Sequence, residues 1–322
     1  MREGIAVAGS ILVDHICDIS AYPASGELTQ IRACRNAAGG CVPNVAIDLK
    51  RLAPDLPVFA MGLVGKDEDG AFLCDILSQN GVDTTGIRSV LQRTSFTDVM
   101  SVVGGQRTFF TFAGACAEFG ADSIDLENTS AAMLHLGYFL LLDRVDGGEG
   151  VKILKKASEL SIKTSIDLVS ENSDRYACVL PALPYVDNLI INELEAGKLC
   201  GVEPAPQNLR AICEKLMALG VRERVILHMP ECGVCLSENG FTVSPSFEPP
   251  AGYIKGKTGA GDAFCAGALL GIEKGFTDGE ILDLGGAAAI ASLSVADATS
   301  GMCEAERVLA FCKPLARAEL RF

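Results

Sequence analysis

Gly256-Lys257-Thr258-Gly259-Ala260-Gly261-Asp262-Ala263-Phe264-Cys265-Ala266-Gly267 joins a run of very small residues to an apolar helical pattern over 263–273. Small residues just before a helix let successive backbone N–H groups converge at its N-terminus, where they lack intrahelical partners and stabilise an anion. Asp262 stands at the mouth of that nest. A carboxylate there is placed to take the proton from a substrate hydroxyl as it attacks a phosphoryl group. The same pattern also describes a glycine-rich turn with an Asp N-cap. Residues 256–258 end like a P-loop, but Ala251 replaces the first glycine of that pattern and Pro249-Pro250 interrupt the preceding strand. A P-loop NTPase is set aside on these grounds.

Outward from this loop the chain alternates between short apolar runs and helical patterns. Strands are expected at 5–13, 57–65, 162–168, 188–192 and 224–228. Helices are expected at 71–79, 149–160, 193–200 and 207–219. Such alternation predicts a parallel-rich sheet covered by helices on both faces. Two segments break the rhythm. Residues 94–103 and 106–112 are β-rich and joined at Gly104-Gly105, a hairpin signal, and residues 10–35 are non-helical and punctuated by Pro23 and Gly26. They read as insertions, approximately 12–36 and 93–114, that form a small second sheet serving as a lid over one α/β domain spanning 1–322. Alternation puts Phe110 and Phe112 on one face of the lid and Phe109 on the other. Arg107 there either meets a phosphate or carboxylate or is a solvated cation.

The 322 residues carry 27 Lys plus Arg against 41 Asp plus Glu, a net charge of −14, and 49% are hydrophobic. That much apolar surface excludes disorder as the main state. The acidic balance excludes nucleic acid as a partner, because phosphate binding needs a basic face. The longest apolar runs, 131–142 and 285–296, fall short of the ~18 residues a membrane span needs. The N-terminal run reads as a strand, not a signal peptide. Thirteen cysteines without framework spacing predict reduced, mostly buried thiols in a cytoplasmic protein. Cys232-Gly-Val-Cys235 lacks a second pair, and His15, His135 and His228 lie far apart, so no metal–thiolate site is expected.

A second segment, Ala38-Gly39-Gly40-Cys41-Val42-Pro43-Asn44-Val45-Ala46, opens a helix with Pro43 in its first turn and an apolar face of Val45, Leu49 and Leu52. Two glycines before the helix would let a ligand approach the backbone, and Asn44 offers a donor and an acceptor to a polyol. Asp14 would supply a carboxylate for sugar hydroxyls.

Together these segments resemble the PfkB (ribokinase-like) family of carbohydrate and nucleoside kinases, from about residue 5 to 300. Gly39-Gly40 with Asn44-Val45-Ala46 is similar to its N-terminal signature. Residues Gly62 to Gly70 (GLVGKDEDG) match its middle pattern, Asn192-Glu-Leu-Glu195 its NxxE element, and Gly259-Ala-Gly-Asp262-Ala-Phe its C-terminal signature. The resemblance implies a three-layer α/β/α sandwich with a small β-sheet lid, and an ATP- and Mg²⁺-dependent transfer of phosphate to a hydroxyl of a sugar or sugar-like molecule. Asp262 would be the base, and the amides of Gly259, Ala260 and Gly261 the anion hole. Asp14, Gly39, Gly40 and Asn44 would bind substrate. Asn192 and Gly233 would lie at the nucleotide, and Glu195 with Asn192 would organise Mg²⁺ through water. The lid of such proteins often pairs with a second subunit.

Three departures stand out. Gly256-Lys257 replaces an Asp-Thr whose Asp commonly helps hold a monovalent cation, so K⁺ activation is left open and Lys257 is the candidate positive charge. His228-Met-Pro230 replaces a Thr-x-Gly, of which only the later Gly233 survives. Cys116 follows Gly114-Ala115 where an Asn is usual. Two alternatives remain. One is a nucleoside kinase with Phe96 or Phe112 forming a base slot; the other is a catalytically silent binding protein on the same fold, motivated by Pro230. A dinucleotide-dependent dehydrogenase is excluded, because Gly9-Ser10-Ile11 begins no G-x-G-x-x-G.

Overall fold

A computed structural model describes residues 2–102, 107–171 and 173–320; the expected turn at Gly104-Gly105 lies outside the described residues. In the larger sheet, β1 (Ile5–Gly9), β4 (Val58–Gly65), β5 (Asp83–Val90), β8 (Met133–Phe139), β9 (Lys163–Leu168), β10 (Asn188–Asn192) and β11 (Arg224–His228) run parallel. Their order is β11-β10-β9-β8-β1-β4-β5, and β12 (Cys232–Ser237) and β13 (Gly240–Pro245) extend the β11 edge as an antiparallel hairpin. Alternate residues feed opposite cores: Ile5, Val7, Ile190 and Ile226 face one side, and Ala6, Ala8, Leu189, Ile191, Val225 and Leu227 the other. A strand buried on both faces reads as a near-continuous apolar run, which is how β10 and β11 are visible in the sequence, whereas β9 (KTSIDL) buries polar residues.

One face is covered by α1 (Cys41–Leu52), α2 (Glu68–Gln79), α6 (Ala260–Glu273), α7 (Asp278–Ser292) and α8 (Ala305–Cys312). The other is covered by α3 (Gly150–Glu159), α4 (Glu193–Cys200) and α5 (Leu209–Ala218). α6 and α7 approach backbone to backbone, since a Cβ on Gly267 would stand 2.7 Å from the Leu284 carbonyl oxygen. Among the described residues no helix is long and apolar enough to cross a membrane.

The expected strand over 5–13 is two strands. Gly9 adopts φ 137°, a conformation side chains disfavour, and the chain leaves the large sheet there. It resumes as β2 (Leu12–Ile19) in a second sheet ordered β3-β2-β6-β7, with β3 (Ile31–Gly39), β6 (Ser95–Val102) and β7 (Arg107–Phe112). The two insertions thus meet in one small sheet, with β2 parallel to β6 and antiparallel to β3. The 62–70 motif anchors its root. Asp67 caps α2 by accepting the Gly70 N–H (2.9 Å) and also accepts the Thr94 N–H (2.8 Å) at the start of β6. The β2–β3 register sets Cys17 opposite Cys34, Cα–Cα 4.3 Å, and the two form a disulfide. This corrects the expectation of reduced thiols throughout; partners on neighbouring strands carry no spacing signal in the sequence.

Candidate active site

The chain steps from β1 to β4 and β5 on one side, then returns to β8 and β9 on the other. Ligands of open α/β sheets bind outside the carboxyl ends of strands at such a reversal. Here Tyr138, Asp167, Asn192 and His228 stand at the carboxyl ends of β8, β9, β10 and β11. They line a cavity of about 200 Å³ with Glu195, Lys257, Gly259, Ala260, Gly261, Asp262 and Cys265.

The helix that carries Asp262 begins at Ala260, three residues before its apolar pattern, with Gly259 as N-cap at φ 79°. A Cβ on Gly259 would lie 2.6 Å from that of Ala298, so only glycine fits. Asp262 therefore sits inside the first turn and its side chain makes no capping bond. Its Oδ2 accepts the Asn44 amide (2.8 Å), and the Tyr138 hydroxyl reaches both its oxygens at 3.0 Å. Burial foremost, then the charge of Asp167, pushes the Asp262 carboxyl up to about 7; the bonds from Asn44 and Tyr138 oppose the shift. A base with that value is half ionised near neutrality, where proton acceptance is most effective.

Asn44 lies in the first turn of α1, and its Oδ1 is buried and, among the described residues, has no hydrogen-bond partner, although its Nδ2 holds Asp262. The α1 N-terminus itself is not open to a ligand. Ser10 accepts the Cys41 N–H at Oγ (3.0 Å) and the Val42 N–H at its carbonyl (3.1 Å). A Cβ on Gly40 would meet the Ser10 carbonyl oxygen at 2.7 Å, and one on Gly39 the Asp14 carboxylate at 2.6 Å. These glycines make room for the chain's own Ser10 and Asp14. Burial raises the Asp14 carboxyl to about 6, against the opposing pull of His15.

Asn192 and Glu195 form a complete capping box on α4. Asn192 Oδ1 accepts the Glu195 N–H (2.8 Å) and Glu195 Oε2 the Asn192 N–H (3.1 Å), while Ser170 Oγ donates to Glu195 Oε1 (2.7 Å). Burial raises Glu195 to about 7. Both its oxygens being engaged, this all-oxygen pair suits a hydrated Mg²⁺ held through water. Gly233 does not reach the cavity: it is a buried β12 residue paired with His228 and packed against Leu282 and Phe264. His228 occupies that end instead, its imidazole held neutral by burial at about 4. Cys116 is buried too, its thiol donating to the Ile11 carbonyl (3.3 Å).

Lys257 lines the cavity and is exposed. The preceding Gly256 leaves no room for an acidic side chain, since a Cβ there would lie 2.9 Å from the Val295 carbonyl oxygen. From the small sheet, Arg107 hydrogen-bonds Thr258 Oγ1 on the loop before α6. Asp167 and Tyr138, which contact or face Asp262, are not singled out by the sequence. Asp167 carries the signal of a carboxylate ending a parallel strand. Tyr138 carries none: it turns toward Asp262 with φ 61° inside a continuous apolar run.

A family model described as pfkB family carbohydrate kinase matches residues 2–305. The chain is 25% identical over 320 residues to ribokinase of Haemophilus influenzae, covering 97% of this chain and 99% of that one. It is 26% identical over 294 residues to adenosine kinase of Saccharomyces cerevisiae, covering 86% and 83%. The structure of Arabidopsis thaliana ribokinase complexed with ribose and ATP has a TM-score of 0.83 at 22% identity, covering 97% of this chain and 99% of that one.

Proposed function

The chain belongs to the pfkB family of carbohydrate kinases, and from that premise we propose that it transfers the γ-phosphoryl group of ATP to a hydroxyl of a small sugar or sugar-like molecule. The observation that carries this reading is Asp262, buried at the N-terminus of α6 and hydrogen-bonded by Asn44 and Tyr138. Asp14 and the idle Oδ1 of Asn44 would bind substrate hydroxyls and hold one of them against Asp262. Asp262 takes the hydroxyl proton as the oxygen attacks phosphorus. The N–H groups at the α6 N-terminus then stabilise the charge on the transferring phosphoryl oxygens. Mg²⁺ bound with the nucleotide would neutralise phosphate charge, with Asn192 and Glu195 holding its waters.

The Arg107–Thr258 contact supports the small sheet as a lid formed by 12–36 and 93–114 on a single domain. Arg107 would then face the phosphates as the lid excludes water. Exposed Ile31, Phe109 and Phe110 on that sheet fit a second copy pairing there as a homodimer. Eleven of the thirteen cysteines are unpaired and most of these are buried, which fits a reducing compartment such as the cytoplasm, with the Cys17–Cys34 bridge as the exception.

A sugar is favoured over a nucleoside by Phe96. Its ring stacks on His15 (5.1 Å), meets Phe112 (5.2 Å) and lies under the Arg93 guanidinium (4.7 Å), which leaves it little face for a base. The test is ADP release with Mg²⁺-ATP against ribose, fructose, 2-keto-3-deoxygluconate, adenosine and pseudouridine. A sugar or sugar-acid hit supports the reading, and turnover of nucleosides alone overturns it. Bound ATP without turnover of any of them would point to a substrate outside this set, whereas neither turnover nor ATP binding would favour a silent binding protein.

Lys257 is read as the positive charge beside the phosphates. Lys257→Met is expected to lower kcat about 10–100-fold, the loss of one charge-assisted contact of about 1.5–3 kcal/mol, with K⁺ unable to restore it. Steep K⁺ activation of the unaltered enzyme, with kcat unchanged in Lys257→Met, would refute this.

A further inference from the structure

Behind Asp262 lies a group of side chains that phosphoryl transfer does not use. Cys41 opens α1, His135 is in β8, and Asp167 is in β9; one ligand atom from each lies within 4.8 Å of the others, and all three are buried. Cys265, one turn after Asp262 on α6, brings its sulfur to 3.6 Å from His135 Nε2. Asp167 Oδ2 is 3.5 Å from that same nitrogen. No sequence pattern marks this cluster, because its members come from four separate elements.

The geometry is that of a prepared site. His135 Nδ1 is engaged by Ser165 Oγ (3.2 Å), which fixes the ring with Nε2 facing the cluster. Asp167 Oδ1 accepts the Tyr138 N–H (2.6 Å), which fixes the carboxylate. Metal-binding imidazoles and carboxylates are oriented by such outer partners. Gly137 completes the arrangement: a Cβ there would lie 1.8 Å from Cys41 Sγ and 3.1 Å from Asp167 Oδ1, so the thiol enters only because residue 137 is glycine. Bonds of about 2.0–2.3 Å to a tetrahedral ion set its ligand atoms about 3.3–3.8 Å apart. The separations of 3.5 and 3.6 Å around His135 Nε2 fall in that range; Cys265 lies outside the three-residue group whose ligand atoms are mutually within 4.8 Å, so its sulfur must draw in as an ion binds.

We propose that Cys41, His135, Asp167 and Cys265 form a binding site for one thiophilic divalent cation of the zinc class, on the floor of the cavity. Two sulfurs, an imidazole and a carboxylate select such an ion over Mg²⁺ or K⁺, which favour oxygen. The site is therefore separate from Asn192 and Glu195. Asp167 and Cys265 line the cavity, which supplies the route in. On binding, both thiols release their protons to solvent and the thiolates ligate the ion.

Cobalt titration of the reduced, chelator-treated full chain tests this without turnover, so its outcome is independent of the kinase reading. The expected result is one Co²⁺ per chain, with intense visible bands of tetrahedral cobalt and a near-ultraviolet thiolate charge-transfer band, both lost when Zn²⁺ displaces it. Cys41→Ala and Cys265→Ala should each diminish the charge-transfer band and weaken affinity at least about tenfold, whereas Cys232→Ala should leave both unchanged. Should Cys41→Ala not fold, the more conservative Cys41→Ser gives the same readout. Pale, thiolate-free cobalt, no stoichiometric binding, or an undiminished band in the Cys41 and Cys265 variants would overturn the assignment.

Discussion

Asp262→Asn is expected to lose turnover and yet melt at a higher temperature near pH 8. Loss of the base should lower kcat by about 10²–10⁴-fold, with sugar and nucleotide affinity little changed because the side chain keeps its shape. The stability gain follows from the raised carboxyl. Its folded-state value of about 7 lies above the ordinary 3.8. Between those values the folded chain holds a proton that the unfolded chain has released, so this group's contribution falls as pH rises through the window and is least favourable above about 7. The charge that must then be buried costs up to about 4 kcal/mol, with local relaxation lowering the figure. Asparagine carries no such charge, and the free Oδ1 of Asn44 can accept from its new amide after a flip. Thermal melts should show the gain near pH 8 and its disappearance near pH 4. The wild-type kcat/KM should rise with pH through about 7. A lower melting temperature for the variant near pH 8 would mean that the charge is compensated in a way the Asn44 and Tyr138 bonds do not describe.

Gly259→Ala should damage both stability and chemistry. The left-handed backbone at φ 79° costs a side chain about 1–2 kcal/mol. The added methyl must also displace Ala298, whose Cβ and Cα would lie 2.6 and 2.7 Å away. A total loss of about 2–5 kcal/mol is expected, with kcat falling about 10²–10³-fold as the amides at the helix start lose their alignment. Gly261→Ala is the control for stability. Its methyl would make an ordinary 3.4 Å contact with His228 Cε1, so the melting temperature should stay close to wild type. Equal destabilisation of both variants, or wild-type turnover in Gly259→Ala, would remove the strained N-cap from the account of the site.

Much of this was legible in the sequence where local pattern and global position agree. β10 and β11 are apolar runs with the same limits in the sequence and in the fold, whereas the 2.8 Å contact between Asn44 and Asp262, far apart in the chain, shows only in the structure. Legibility failed where one pattern serves two roles. The apolar run 5–13 crosses between two sheets because only the backbone of Gly9 changes. Asn192 and Glu195, which match a family motif, also spell a helix cap. Gly233 is a glycine that neighbouring Leu282 and Phe264 require for packing inside the sheet. Groups assembled from four elements, such as the one around His135, leave no pattern at all.

The two-residue link Ser10-Ile11 between β1 and β2 has a mechanical consequence. Ser10 is a fulcrum: the small sheet extends from one side of it, and its carbonyl and hydroxyl grip the first N–H groups of α1 on the other. β3 runs back into that same helix through Gly39 and Gly40. Any tilt of the sheet is therefore levered onto Asn44, and through Asn44 onto Asp262. With the small sheet acting as the proposed lid and Asp262 as the proposed base, the position of the cover and the aim of the carboxylate become a single degree of freedom, so that a cover standing ajar leaves Asp262 misaimed.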